Sequence, residues 1–80
     1  MDKQPIADII SKEVQQIVMR KVPDDQPLLS TRILDSMGLV DLAMALEMAF
    51  HIKINARDVT PLHFETIHAM TDYISKAISR

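Results

Sequence analysis

The chain has no cysteine and one glycine, and aromatic residues make up only 4% of its 80 positions. Without cysteine, neither a disulfide nor a thiolate metal site can form, so any thiol chemistry needs a sulfur supplied by a cofactor. Phe50, Phe64 and Tyr73 are too few to build a base-stacking surface. The net charge of −2, with acids and bases spread along the chain, also argues against nucleic-acid binding.

Long apolar runs are absent as well. No run approaches the roughly 20 residues that a membrane span requires, so no membrane association is expected. The first residues are too polar for a secretory signal, and we therefore expect a cytoplasmic protein. Eighty residues predict one small domain, residues 1–80, which buries only about 60% of its unfolded surface.

Apolar residues recur at helical spacing in three segments. They predict a first helix over about 6–19, a second over about 36–50 and a last over about 66–78. Thr60 as N-cap and Pro61 as first residue predict a short helix over about 61–65. Residues 22–34 form a loop longer than most helix connections. The prediction is an all-α, small four-helix bundle with three main helices, one short third helix and this long loop between helices one and two.

The second predicted helix is apolar on two opposite sides. At about 100° per residue, one side collects Leu39, Leu42, Ala43, Leu46, Ala49 and Phe50. The other collects Met37, Val40, Met44 and Met48, flanked by Asp41 and Glu47. A helix apolar on both sides is either buried or keeps one side for a partner. We assign Leu39, Leu42, Leu46 and Phe50 to the core and Met37, Val40 and Met44 to partners, because methionine adapts to several binding surfaces.

Ser36 lies at the start of this helix. A serine at a helix start is usually an N-cap. Here Asp35 directly precedes it and can cap the helix instead, which leaves the serine hydroxyl free. A helix N-terminus also stabilises a negative group and suits phosphate. Ser36 is therefore well placed to carry a phosphate ester.

The histidines indicate no catalytic or metal site. His63 and His68 are five residues apart, whereas metal pairs on a helix favour a spacing of four. No third ligand accompanies them, and no Ser–His–Asp arrangement follows from the spacing. We expect structural roles for the histidines, no metal and no catalytic residue.

Several segments resemble the acyl carrier protein family. Asp35-Ser36-Met37, Val40-Asp41-Leu42, Leu46-Glu47 and Phe50 are similar to the family's phosphopantetheine attachment helix. Ile52-Lys53-Ile54, Asp58 and Phe64-Glu65-Thr66-Ile67 resemble the segments that follow it. The helix order also agrees, so that the resemblance extends over residues 6–78.

The resemblance implies that a holo-carrier-protein synthase transfers 4′-phosphopantetheine from coenzyme A to Ser36, with a magnesium ion held mainly by the enzyme. The thiol of this arm would hold an acyl or aminoacyl group as a thioester, loaded by a ligase and used by downstream biosynthetic enzymes. The chain would be a monomeric shuttle and would catalyse nothing. At the positions that match the family motif, the resemblance implies that Met37, Val40 and Met44 make apolar contacts with partners. It also implies that Asp35, Asp41 and Glu47 pair with Arg or Lys side chains of partners.

The sequence departs from the family pattern at several positions. Gly38 and Leu39 replace a commoner polar pair, and Met48 stands where many fatty-acid carriers are acidic. Ile33-Leu34 occupies the region of a usual glycine. These changes favour a carrier dedicated to one pathway, or one that handles amino acids, over a general fatty-acid carrier. The alternative hypothesis is a non-carrier interaction module, in which the methionine side docks a partner helix and Ser36 is only a cap.

Overall fold

The computed structural model describes residues 3–79, which form four α-helices and one short 3-10 helix. The helices are α1 (Gln4–Val18), α2 (Ser36–Phe50), α3 (Pro61–Phe64) and α4 (Ile67–Ile78). α1 packs against both α2 and α4, and α3 packs against α4. The described residues contain no strand, and the prediction of an all-α bundle is confirmed.

The core lies where the four helices and the long loop meet. Its largest fully buried side chains come from every α-helix and from the loop: Ile10, Val14, Leu28, Leu42, Leu46, Phe64, Ile67, Met70 and Ile74. Burial of this apolar surface, at about 25 cal/mol per Å², is the main stabilising contribution. The one buried polar residue within 3–79 is Thr71, whose hydroxyl donates to the Ile67 carbonyl at 2.8 Å. The core therefore holds no unpaired side-chain polar atom among the described residues.

Local chemistry explains most of the helix ends. Pro5 lies in the first turn of α1, where its missing N–H leaves no partner unsatisfied. The Thr66 hydroxyl accepts a hydrogen bond from the Ala69 N–H at 2.9 Å and thus caps α4 as its sequence position suggests. α1 and α2 both end at a left-handed residue, Met19 with φ 64° and His51 with φ 54°.

The long loop is attached to the junction between α3 and α4. The Leu28 N–H donates to the Glu65 carbonyl at 2.7 Å, and the Leu29 and Ser30 N–H groups donate to the Glu65 Oε1 at 2.7 and 3.1 Å. The His68 N–H donates to the Asp24 carbonyl at 2.9 Å. These bonds hold the segment that leads into α2 in a defined position.

The Glu65 carboxylate is stabilised in its charged form by this arrangement. Hydrogen bonding from the Ser30 side chain lowers the pKa of Glu65 below 4.5, against the opposing effect of desolvation. The N–H groups of the loop lower that pKa further. The loop attachment therefore favours the ionised carboxylate.

Two details of the helices differ from what the sequence pattern suggests. Ala49 is exposed, although it was grouped with the core side of α2, because it lies at the edge of that side and near the helix end. Thr60 is the N-cap residue of α3 but makes no side-chain capping bond. The His63 N–H, which the hydroxyl would have accepted, donates instead to the Thr60 carbonyl at 3.1 Å.

The segment between α2 and α3 also contains an element that the sequence did not predict. Residues Ala56–Asp58 form the 3-10 helix, and the Asn55 side chain caps it by accepting the Arg57 N–H at 3.2 Å. Asp58 then accepts a hydrogen bond from the Tyr73 hydroxyl at 2.8 Å, which ties this segment to α4. None of the helices within residues 3–79 has the length and apolar character needed to span a bilayer.

Candidate cofactor attachment site

Ser36 is the first residue of α2 and is exposed. Asp35 caps the helix, because its Oδ1 accepts the Gly38 N–H at 2.7 Å. Within residues 3–79 the Ser36 hydroxyl has no hydrogen-bond partner, so that it is not engaged as a cap. The hydroxyl is thus available at the positive end of the helix dipole, where a phosphate ester is stabilised.

Gly38 allows the start of α2 to lie close to the long loop. A Cβ at this position would stand 2.8 Å from Leu34 Cδ1, 3.2 Å from Asp35 Oδ1 and 3.5 Å from Ile17 Cγ2. Leu34 is almost fully buried, so it has little room to move. The departure from the family pattern at Gly38 therefore has a reason within the chain itself, namely close packing beneath Ser36.

The outward side of α2 is apolar and uncovered. The exposed fractions are 77% for Met37, 55% for Val40, 57% for Met44 and 77% for Met48. The Asp41 carboxylate beside them is exposed and has no ion-pair partner within residues 3–79. This side could offer apolar contact and negative charge to another protein.

Glu47 differs from the other acidic residues of α2. Its Oε2 accepts the Ile54 N–H at 2.7 Å, and its carbonyl accepts the Ile52 N–H at 3.2 Å. These bonds attach the segment after α2 to the helix. Glu47 also lies eleven residues beyond Ser36, about 16 Å at 1.5 Å per residue. Asp35, Met37, Val40 and Asp41 thus lie within five residues of Ser36 at the start of α2, and Met44 lies eight residues beyond it, whereas Glu47 has a role inside the chain.

A groove of about 300 Å³ lies beside Ser36, between the end of α1, the long loop and the start of α2. Arg32 lines this groove, although no motif in the sequence points to it. The available signal was a cation four residues before Ser36. Within residues 3–79, no group of three or more His, Asp or Glu could hold a metal ion.

Comparison with known proteins agrees with this geometry. A family model described as "phosphopantetheine attachment site" matches residues 6–74. A comparison with curated protein sequences finds none that matches the chain. Members of the family bear a covalently attached 4′-phosphopantetheine, act as non-catalytic carriers, and generally interact with a phosphopantetheinyl transferase and with biosynthetic enzymes. The resemblance predicted from the sequence is confirmed: the chain belongs to the phosphopantetheine-attachment family and is a carrier protein rather than an enzyme.

Proposed function

We propose that this protein shuttles acyl or aminoacyl intermediates as thioesters on a 4′-phosphopantetheine arm attached to Ser36, within a specialised biosynthetic pathway. The observation that carries the proposal is the exposed Ser36 hydroxyl at the start of α2, with Asp35 serving as the cap in its place. The match to the carrier family supports the same attachment chemistry.

The attachment requires little chemistry from this chain. The Ser36 Oγ forms a bond to the phosphorus next to the pantetheine in coenzyme A, and the bond from that phosphorus to 3′,5′-ADP breaks. The serine proton passes to a base of the synthase, and 3′,5′-ADP leaves. The helix N-terminus stabilises the resulting phosphodiester. The attached arm supplies a thiol, which is consistent with a chain that has no cysteine.

Intact-mass spectrometry after incubation with a holo-carrier synthase and coenzyme A tests the attachment. We expect an added mass of about 340 Da on the wild type and none on Ser36→Ala. Ser79→Ala, which removes another exposed serine, serves as the matched control and should be modified like the wild type. Absence of an adduct with several synthases of broad specificity, or an adduct on Ser36→Ala, would sink the proposal.

The outward side of α2 is the proposed docking surface for the synthase and for pathway enzymes. Met37, Val40 and Met44 would supply apolar contact, and Asp35 and Asp41 would pair with cations of the partner. We keep Glu47 in this set only as a weaker contributor, because its carboxylate is already bonded to the Ile54 N–H.

Two matched pairs of variants test this surface by the kcat/KM of the synthase. Met44→Ser should lower it about two- to ten-fold, whereas Met19→Ser, which alters a methionine 84% exposed on another part of the surface, should leave it unchanged. Asp41→Asn should lower it by a similar or smaller factor, whereas Asp25→Asn in the long loop should not. Equal effects within both pairs would contradict the assignment of this surface.

We propose that the cargo belongs to one dedicated pathway or is an amino acid, on the basis of the departures from the general fatty-acid pattern, such as Met48 in place of an acid. A panel of acyl- and aminoacyl-activating ligases, offered the holo protein, would identify the cargo by the added mass on the arm. A preference for ligases of general fatty-acid synthesis would contradict a specialised pathway.

A further inference from the structure

The groove beside Ser36 presents mostly polar surface. Arg32 contributes a positive charge, and Asp35 and Asp41 contribute negative charges. Ile17, Val18 and Ile33 line the groove as well but expose little apolar surface there. Its volume of about 300 Å³ is at the lower end of the range of roughly 300–1,000 Å³ found for small-molecule sites. Asp35 and Met37, the two neighbours of Ser36 in the chain, also line it, so a group attached to Ser36 begins at the edge of the groove.

Arg32 is the cation among the residues that line this groove. It has no ion-pair partner within residues 3–79. Its backbone is left-handed, with φ 60°, and its N–H donates to the Leu29 carbonyl at 3.1 Å. The Leu34 N–H also donates to the Leu28 carbonyl at 2.9 Å, so that backbone hydrogen bonds fix the loop on both sides of Arg32. The guanidinium therefore extends from a backbone that is already ordered.

We propose that the phosphopantetheine arm docks into this groove when the carrier is free of partners, with Arg32 pairing with the phosphodiester at Ser36. This inference rests on the proposed attachment at Ser36. Guanidinium groups bind phosphate oxygens through paired, charge-assisted hydrogen bonds. The amide N–H and hydroxyl groups of the arm suit the mostly polar lining, and the amide N–H groups can donate to the Asp41 carboxylate.

The covalent attachment makes even a weak contact effective. A tethered group has a local concentration in the millimolar range, so that docking needs only a small favourable free energy. A docked arm would be only partly shielded from solvent between encounters, because the groove is partly open. It would lie beside the outward side of α2, which is the surface that a partner binds. The arm would leave the groove when an enzyme binds it more tightly.

Nitrogen-15 correlation spectra of the apo and holo proteins test this docking. We expect the amide resonances of Ile17, Val18 and Ile33 to shift on modification, in addition to those of the neighbours of Ser36. Arg32→Gln should reduce these remote shifts about two- to five-fold and leave the shift at Met37 in place. Arg57→Gln, the matched change of an arginine that does not line this groove, should have no effect.

A spin label on the arm shows whether the arm itself lies close to the groove or whether modification changes the resonances there indirectly. Because the chain has no cysteine, a thiol-reactive nitroxide labels only the arm of the holo protein. Docking predicts stronger paramagnetic broadening at Ile33 and Val18 than at Val40 and Met44, and a smaller contrast in Arg32→Gln. Even broadening around Ser36, or remote shifts that are unchanged in Arg32→Gln, would overturn the docking.

Intact mass distinguishes the two possible failures. If the protein gains no adduct, the proposed function fails and the docking falls with it. If the adduct forms but the remote shifts and the contrast in broadening are absent, attachment at Ser36 stands and only the docking is overturned.

Discussion

The two sides of α2 are both apolar, but the rest of the chain covers only one of them. Leu42 and Leu46 on the inward side are fully buried, whereas Met37 and Met48 on the outward side are each 77% exposed. Contiguous exposed apolar surface on a small protein marks a place of interaction. Apolar residues therefore stabilise the fold on one side of the helix and, by our proposal, bind partner proteins on the other.

The acidic residues of α2 repeat this contrast. Glu47 accepts the Ile54 N–H at 2.7 Å and thereby holds the segment after the helix, whereas Asp41 has no such bond among the described residues. Asp41 and Glu47 thus have different roles, although both are acidic residues of the same helix.

Truncation of one residue on each side should separate the two sides most clearly. Leu46→Ala removes a fully buried side chain and should lower the free energy of unfolding by about 2–5 kcal/mol, through lost burial and a cavity. Met44→Ala removes a side chain that is 57% exposed and should change the free energy of unfolding by less than about 0.5 kcal/mol. Urea unfolding followed by circular dichroism measures both, and comparable losses would refute the division.

Enlargement of Gly38 should show how tightly the start of α2 is packed. Gly38→Val places new atoms against Leu34 and should lower the free energy of unfolding by about 1–3 kcal/mol, as expected for overpacking. Ala49→Val, the matched change at an exposed position of the same helix, should cost only about 0.5 kcal/mol through helix propensity. If Gly38→Val is as stable as the wild type, the close packing at Gly38 does not limit the size of the side chain there.

The two acids of α2 should differ in stability when they are truncated. Glu47→Ala leaves the Ile54 N–H without its acceptor and should lower the free energy of unfolding by about 1–2 kcal/mol. Asp41→Ala should change it by no more than about 0.5 kcal/mol, because the carboxylate is exposed and unpaired among the described residues. The division of roles would be wrong if Asp41→Ala proved the more destabilising variant in the same urea experiment.

The loop that leads to Ser36 should loosen in acid. The pKa of Glu65 is lower in the folded protein, since the carboxylate accepts hydrogen bonds from the loop, so its contribution is present above about pH 4.5 and is lost as the pH falls through the folded-state pKa. The wild type should therefore lose stability in acid more steeply than Glu65→Gln. Urea midpoints between pH 7 and pH 3 measure this, with Glu13→Gln on α1 as control. Parallel curves for the wild type and Glu65→Gln would exclude the carboxylate as the source.

Much of the fold follows from local patterns in the sequence. The period of the apolar residues indicated helices and the two sides of α2, because side chains 100° apart along a helix sort by face. The adjacency of Asp35 and Ser36 indicated which side chain caps and which hydroxyl is left free. The absence of cysteine indicated that any thiol must come from a cofactor. These features depend on composition or on residues of the same helix, so they can be recognised without a structure.

The remaining features depend on partners that are distant in the sequence. Glu65 accepts the Leu29 N–H across 36 positions, and a side chain at Gly38 would touch Ile17 of α1 at ordinary contact distance. Periodicity shows which residues share a face but not which element covers that face, so it places Ala49 on the core side of α2 although Ala49 is exposed, and it gives no sign of Arg32. Only the packing of α1, the loop and α2 decided that Arg32 borders the groove beside Ser36, because a groove is made by elements whose relative placement no local pattern contains.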